Sequence, residues 1–211
     1  ANSAGAISSC ELLVDYIYLD TDERRRFAQV SHEYLIEQVQ FTGSETVTAG
    51  GASSATTKVN LHFNHPVKEL VWVYNATCTA AADTTASYIS TGKLQLNGHD
   101  RFKEETGDYF MHVQRFQHHT GVQQESIRTT EMGQAKRGSN SGREQENGIY
   151  SYSFALKPEE HQPSGTCNFS RIDNAVLNLT VSGAATEVYV FAHSYNVLRV
   201  MSGMGGLAYS N

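Results

Sequence analysis

A chain of 211 residues can bury a sizeable core as one large all-β domain or two small ones, and nothing in the length demands two. Sixteen Lys and Arg against 22 Asp and Glu leave a formal charge of −6 with only 18% of residues charged. That balance argues against a surface holding nucleic acid through many phosphate contacts.

Three cysteines, Cys10, Cys78 and Cys167, are too few and too scattered for a disulfide scaffold, and without Cys-x-x-Cys spacing they argue against structural zinc. Reduced, partly buried thiols are the expectation. No apolar run reaches the roughly 18 residues of a membrane span. Residues 1–9 are small and polar, lack the pattern of a signal peptide and read as a linker. The chain begins with Ala1 rather than methionine, as expected of a processed product or the tail of a longer polypeptide.

From Cys10 to Leu19 the run Glu-Leu-Leu-Val-Asp-Tyr-Ile-Tyr-Leu is β-branched and aromatic, and predicts a first strand. Asp20-Thr21-Asp22-Glu23 then supplies a cap and acids for the N-terminus of a short helix through Arg24-Arg25-Arg26-Phe27. The three arginines follow those acids and read as a solvated, salt-bridged helix face rather than a nucleic-acid contact. A second strand is predicted over Leu35 to Phe41, and the small, polar stretch 43–57 as a long exposed connection.

Val59, Leu61 and Phe63 alternate with Lys58, Asn60 and His62, predicting a half-buried strand that ends at Asn64-His65-Pro66. Glu69 to Tyr74, with the single tryptophan Trp72, reads as a central strand. Residues 75–87 are loop-like, and Lys93 to Gly98 is a short strand closing on Asn-Gly, a strong turn signal. Aromatic and aliphatic residues from Asp108 to Gln117 recur at helical offsets, and 120–148 is a long polar loop.

Tyr150, Tyr152, Phe154 and Leu156 alternate with Ser151, Ser153 and Ala155, predicting a strand to Leu156 that Lys157-Pro158 terminates. A tight polar corner leads to a strand over Ala175 to Val181. A long last strand, Glu187 to Leu198, carries Tyr189, Phe191, His193 and Tyr195 on one face. Eight candidate strands without a βαβ rhythm predict an all-β fold: an eight-stranded antiparallel jelly-roll sandwich with short helical insertions.

Catalytic readings find little support in these residues. His62 and His65 are three apart and would face opposite sides of a strand, and no His-x-His of the cupin enzymes occurs among the nine histidines. Gly203-Met204-Gly205-Gly206-Leu207-Ala208 spells a dinucleotide motif, but only three residues follow, too few for the helix that would hold a pyrophosphate. A flexible C-terminal arm is the alternative. Gly138-Ser139-Asn140-Ser141-Gly142 has Asn where a nucleophile elbow needs Ser. No enzyme, cofactor or metal is expected. Three sequons, at Asn75, Asn168 and Asn178, are candidate glycosylation sites, with Asn75 favoured because it begins a loop.

Several of these stretches carry a resemblance. Ser153-Phe154-Ala155-Leu156-Lys157-Pro158, the run Gln162 to Asn174 and the closing run Tyr195 to Tyr209 resemble the C-terminal domain of the major capsid proteins of large icosahedral DNA viruses of the phycodnavirus and iridovirus type. Val14 to Thr21, His32 to Gln38, Phe41 to Thr46, Phe63 to Pro66 and Leu96 to Phe102 fit the same pattern. The resemblance implies a structural virion protein with two jelly rolls in tandem. Residues 10–211 would be the second, and the N-terminal jelly roll would be absent from this chain.

It further implies a homotrimer with a pseudo-hexagonal outline, neighbouring capsomers and minor capsid proteins as partners, covalent glycans, and assembly in the host cytoplasm without direct contact to nucleic acid. Met201, Met204, Leu207 and Tyr209 would then be subunit contacts. The alternative is a jelly roll serving as a carbohydrate-binding or host-attachment module, reading its ligand with the loops at 43–57, 75–90 and 120–148.

Overall fold

The computed structural model describes residues 9–47, 51–76, 88–121, 149–183 and 185–210. Helix α1 (Thr21–Gln29) leads into β1 (His32–Thr46), β2 (Gly51–Asn60), β3 (Pro66–Ala76) and β4 (Tyr88–Leu96). Two short strands, β5 (His99–Asp100) and β6 (Glu105–Thr106), precede one π-helical turn (Tyr109–Val113) that continues as α2 (Gln114–His118). After these come β7 (Tyr150–Ser153), β8 (Cys167–Asn168), a 3-10 turn (Phe169–Arg171), β9 (Ala175–Gly183), β10 (Ala185–Met201) and β11 (Met204–Leu207).

One sheet runs β1-β10-β3-β7, with β11 added to β10 and β8 to β3; the other runs β2-β9-β4-β5, with β6 on β4. All these ladders are antiparallel. Because β1 to β4 alternate between the sheets, the chain wraps as a jelly roll.

Strand β9 shows why the layers close. Ala175, Leu177, Leu179 and Val181 are buried, while Val176, Asn178 and Thr180 between them point outward. They meet Leu70, Trp72, Val188, Val190 and Ala192 from the facing sheet in one continuous core. Each of the valines and leucines among them contributes about 1.5–3 kcal/mol on full burial. The π turn closes the core with Phe110, whose ring stands edge-on to Trp72 at 5.2 Å. Two polar corners fix the ends. Asn97 and Gly98 have positive φ and form the β4–β5 turn, and Asn97 Oδ1 accepts from the backbone N–H of Asp173 and Asn174.

Gly107 sits where β6 passes into the π turn, so close to β4 that a Cβ would collide with the Ile89 carbonyl oxygen. Gly107→Ala is therefore expected to lower stability by about 1–3 kcal/mol. A denaturant midpoint that does not move would contradict this packing.

Seven of the eight expected strands correspond to β1, β2, β3, β4, β7, β9 and β10, and the described residues hold eleven strands in all. The run from Cys10 to Leu19 is the exception. It is extended but pairs with no strand among the described residues, because a strand needs a ladder partner as well as propensity.

Much of 43–57 is not a connection, since β1 reaches Thr46 and β2 begins at Gly51. Backbone pairing to β9 and β10 overrides the weak propensity of Gly, Ser and Ala there. Strand β7 stops at Ser153, where the backbone N–H groups of Phe154 and Ala155 turn to the Lys68 carbonyl, leaving Leu156 70% exposed. The C-terminal arm is not loose either: Ser202 and Gly203 at positive φ turn it back as β11. Helix α1 forms as expected, capped by Asp20, with Arg25 paired to Asp22 at 3.3 Å. Cys78 and most of the expected loops over 75–87 and 120–148 lie outside the described residues.

Candidate functional site

The four proposed contact residues gather at one end of the β1-containing sheet. Strand β11 pairs with the end of β10, placing Leu207 opposite Leu198 and Gly205 opposite Val200. The Ala208 backbone N–H donates to the Val197 carbonyl at 2.8 Å, and Asn196 Nδ2 donates to the Tyr209 carbonyl at 2.9 Å. The arm is thus held rigidly while its side chains face outward: Met201, Met204, Leu207 and Tyr209 are all exposed, Met204 at 75%. Phe27 and Val30 of the α1 region and Tyr34 at the start of β1 are exposed as well. Pre-ordered backbone under bare apolar side chains is what an interface requires, since little entropy remains to be lost on association.

Beneath the arm, a cleft of about 420 Å³ is lined by residues including Leu35, His65, Arg171, Tyr195 and Tyr209. Among its described lining residues there is no carboxylate.

A second feature was not anticipated from the sequence. Between the pairs Glu69↔His193 and Val67↔Ser194 the β3–β10 ladder slips, and the bulge accommodates Lys68 with 0% of its surface exposed. Its ammonium donates to Glu37 Oε1 at 2.7 Å and lies 5.0 Å from the centre of the Tyr195 ring. His193 bridges two carboxylates, with Nε2 3.0 Å from Glu37 Oε2 and Nδ1 3.4 Å from Glu69 Oε1. His119, just past α2, reaches Glu69 at 2.9 Å, and His161 reaches Glu37 at 3.3 Å.

Burial alone would raise the carboxyl pKa of Glu37, but the hydrogen bond and charge of Lys68, with His193 and His161, hold it below its ordinary value. Burial likewise opposes ionisation of Glu69, and His193 and His119 outweigh it. The cluster clasps the end of α2 and the corner around His161 to the outer face of the sheet. The only hint of it in the sequence was Lys68-Glu69 at the head of an apolar run.

The sequons separate on structure. Asn75 does not begin a loop: it lies within β3, its backbone opposite Glu187. Asn178 is half-buried, and its Nδ2 donates to Gln95 Oε1 at 3.1 Å. Asn168 is exposed, and its Oδ1, not the nitrogen, caps the 3-10 turn by accepting from Ser170. His62 is exposed and His65 buried, so the two do not converge, but neither lies on a strand: β2 ends at Asn60 and His65 has positive φ. Gly203 to Ala208 occupies a turn and β11, with no helix following among the described residues.

The sheet order and the outward-facing arm agree with what the chain is similar to. The family model described as large eukaryotic DNA virus major capsid protein matches residues 23–128 and 140–206. The "Major capsid protein" of Pyramimonas orientalis virus is 56% identical over 99% of this chain and 51% of its own length. That of Paramecium bursaria Chlorella virus 1 is 41% identical over 100% of this chain and 56% of its own. A solved structure described as "PBCV-1 virus capsid, quasi-atomic model" superposes with a TM-score of 0.71 at 38% identity, covering 93% of this chain and 56% of that one. The chain spans about half the length of the relatives it matches. A jelly roll with this strand order, matched along nearly its whole length at such identity, belongs to the family of large eukaryotic DNA virus major capsid proteins.

Proposed function

We propose that this chain is one of the two jelly rolls of a capsid building block, structural rather than enzymatic, which associates in threes and tiles an icosahedral shell beside further capsomers and minor capsid proteins. The observation carrying the reading is the rigid β10–β11 hairpin presenting Met201, Met204, Leu207 and Tyr209 to solvent, an apolar surface without cover in a single chain. The relatives named as capsid proteins support it. Assembly takes place in the host cytoplasm. Where glycans are added, Asn168 is the most accessible of the sequon asparagines whose side chains are described. Of the loops invoked by the carbohydrate-binding alternative, those at 75–90 and 120–148 lie mostly outside the described residues, and much of 43–57 is strand.

The test is the pair Met204→Asp and Leu207→Asp in the polypeptide at the length of its relatives. Both side chains are exposed, so melting of the sandwich is expected to stay unchanged while trimer formation weakens by at least about tenfold. Unchanged association would remove the arm from the interface.

A further inference from the structure

We propose that the cleft beneath the β10–β11 arm is a docking site for an acidic segment of a different polypeptide. The segment sets an Asp or Glu carboxylate on Arg171 and an adjoining apolar side chain on the rim formed by Leu35 and Tyr209. Only Tyr209 is shared with the outward face of the arm, and the inference does not depend on how many copies of the chain associate.

The walls of the cleft are built before anything binds. Asn196 Nδ2 donates to the Tyr209 carbonyl at 2.9 Å, holding the end of the arm in place. The His65 backbone N–H donates to Ser170 Oγ at 2.8 Å, and the Phe169 N–H donates to the His65 carbonyl at 3.0 Å. His65 lines the cleft at φ 65°, a left-handed conformation that a residue with a side chain keeps where its surroundings enforce it. A site whose shape is fixed in advance loses little freedom when it is filled.

Charge selects the occupant. In a chain with a formal charge of −6, the described lining holds Arg171 and no carboxylate. The Arg171 side chain has neither a hydrogen bond nor an ion pair among the described residues, whereas Arg25 pairs with Asp22 and Arg199 with Glu33. A guanidinium stays charged across the physiological range and meets a carboxylate with two parallel N–H donors. Asn168 lines the same space, and with Oδ1 committed to the Ser170 N–H its Nδ2 is a further donor. That nitrogen is also the atom a glycan would take, so docking and glycosylation at Asn168 exclude one another.

The rim selects a peptide. Leu35 and Tyr209 are 38% and 62% exposed, which leaves the cleft open on an apolar edge. An open edge suits a chain that enters and leaves, unlike the pockets that bury about 70–90% of a small ligand. One guanidinium in an acidic chain is too little for a nucleic acid backbone. A second copy of this chain is a poor donor, because many of its exposed carboxylates are engaged: Asp22 with Arg25, Glu33 with Arg199, Asp100 with Lys93 and Glu160 with Lys157.

The test is selection of a random dodecapeptide library, displayed on phage, against the unglycosylated polypeptide at the length of its relatives, with Arg171→Gln as the counter-screen. Enriched sequences are expected to place Asp or Glu beside an aromatic or aliphatic residue. Fluorescence anisotropy of an enriched peptide should show binding at least about tenfold weaker to Arg171→Gln, and as much weaker when its acids become Asn or Gln. Arg171→Lys should keep part of the affinity. Because Arg171 is exposed, melting and particle mass should be the same in parent and variant.

No enrichment, or enriched peptides that bind Arg171→Gln equally well, would overturn the proposal. Displacement by an equal concentration of oligothymidylate would also overturn it, marking a site for any polyanion. Loss of trimers in Arg171→Gln would overturn it by giving the cleft to a second copy. Peptide binding with these properties by a polypeptide that stays monomeric would uphold the cleft and sink the association reading instead.

Discussion

Glu37→Ala is expected to destabilise the sandwich by about 3 kcal/mol, toward the lower end of what breaking a buried ion pair costs. The lower end applies because Glu37 is 26% exposed, whereas Lys68, at 0%, would be left as a buried ammonium without its carboxylate. Lys68→Met should cost no more than about 1 kcal/mol, because the apolar stem is kept and Glu37 retains His193 and His161. Chemical denaturation of both variants checks the asymmetry, and equal losses would contradict it.

The same cluster sets a pH dependence. The carboxyls of Glu37 and Glu69 both titrate below their ordinary value of 4.5 in the folded protein. The stabilisation they provide is therefore complete above that value and is lost as pH falls through their lowered folded pKa values. Stability of the parent chain should decline below about pH 4.5, and Glu37→Ala should flatten that decline. A steeper acid loss in the variant would contradict the clasp.

Trp72→Ala is expected to cost about 3–5 kcal/mol, since the side chain is fully buried and packs against Phe110 of the π turn and Tyr150 on the neighbouring strand. Trp72→Phe should cost about 1.5 kcal/mol or less. The buried indole Nε1 has no hydrogen-bond partner among the described residues, so its removal relieves an unsatisfied donor and offsets part of the lost volume. Denaturant midpoints of the two variants separate these effects, and similar losses would mean that the indole nitrogen is satisfied after all.

The legible parts of the fold were those where one face is core and the other water. In β9 the period of two is unbroken from Ala175 to Val181, and the buried set is the one read from the letters; in β10 the face read from the letters keeps Tyr189, Phe191 and His193 half-exposed, while Val188, Val190 and Ala192 opposite them form the core. The Asn97-Gly98 turn and the Asp20 cap were equally plain, because both depend on local chemistry alone. Strand ends rich in small residues, as over 43–57, were misread because cross-strand pairing decides them, and that partner lies more than a hundred residues away.

The candidate site divides in the same way. Met201, Met204, Leu207 and Tyr209 were visible as apolar residues in a glycine-rich tail, but their rigidity comes from two positive-φ residues and hydrogen bonds to Val197 and Asn196. The clasp was hidden because a one-residue slip of β3 against β10 buries Lys68, and its partners come from four other segments of the chain. The strand signal over 10–19 was one of composition alone: the run has no ladder partner among the described residues, and propensity without pairing does not make a strand.

Light-scattering mass of the polypeptide at the length of its relatives, taken at a pH and salt where virions stay intact, tests the account most directly. Three copies per particle is the expected result, falling to one with Met204→Asp and Leu207→Asp combined. A parent protein that remains monomeric across that range would contradict a self-associating coat unit.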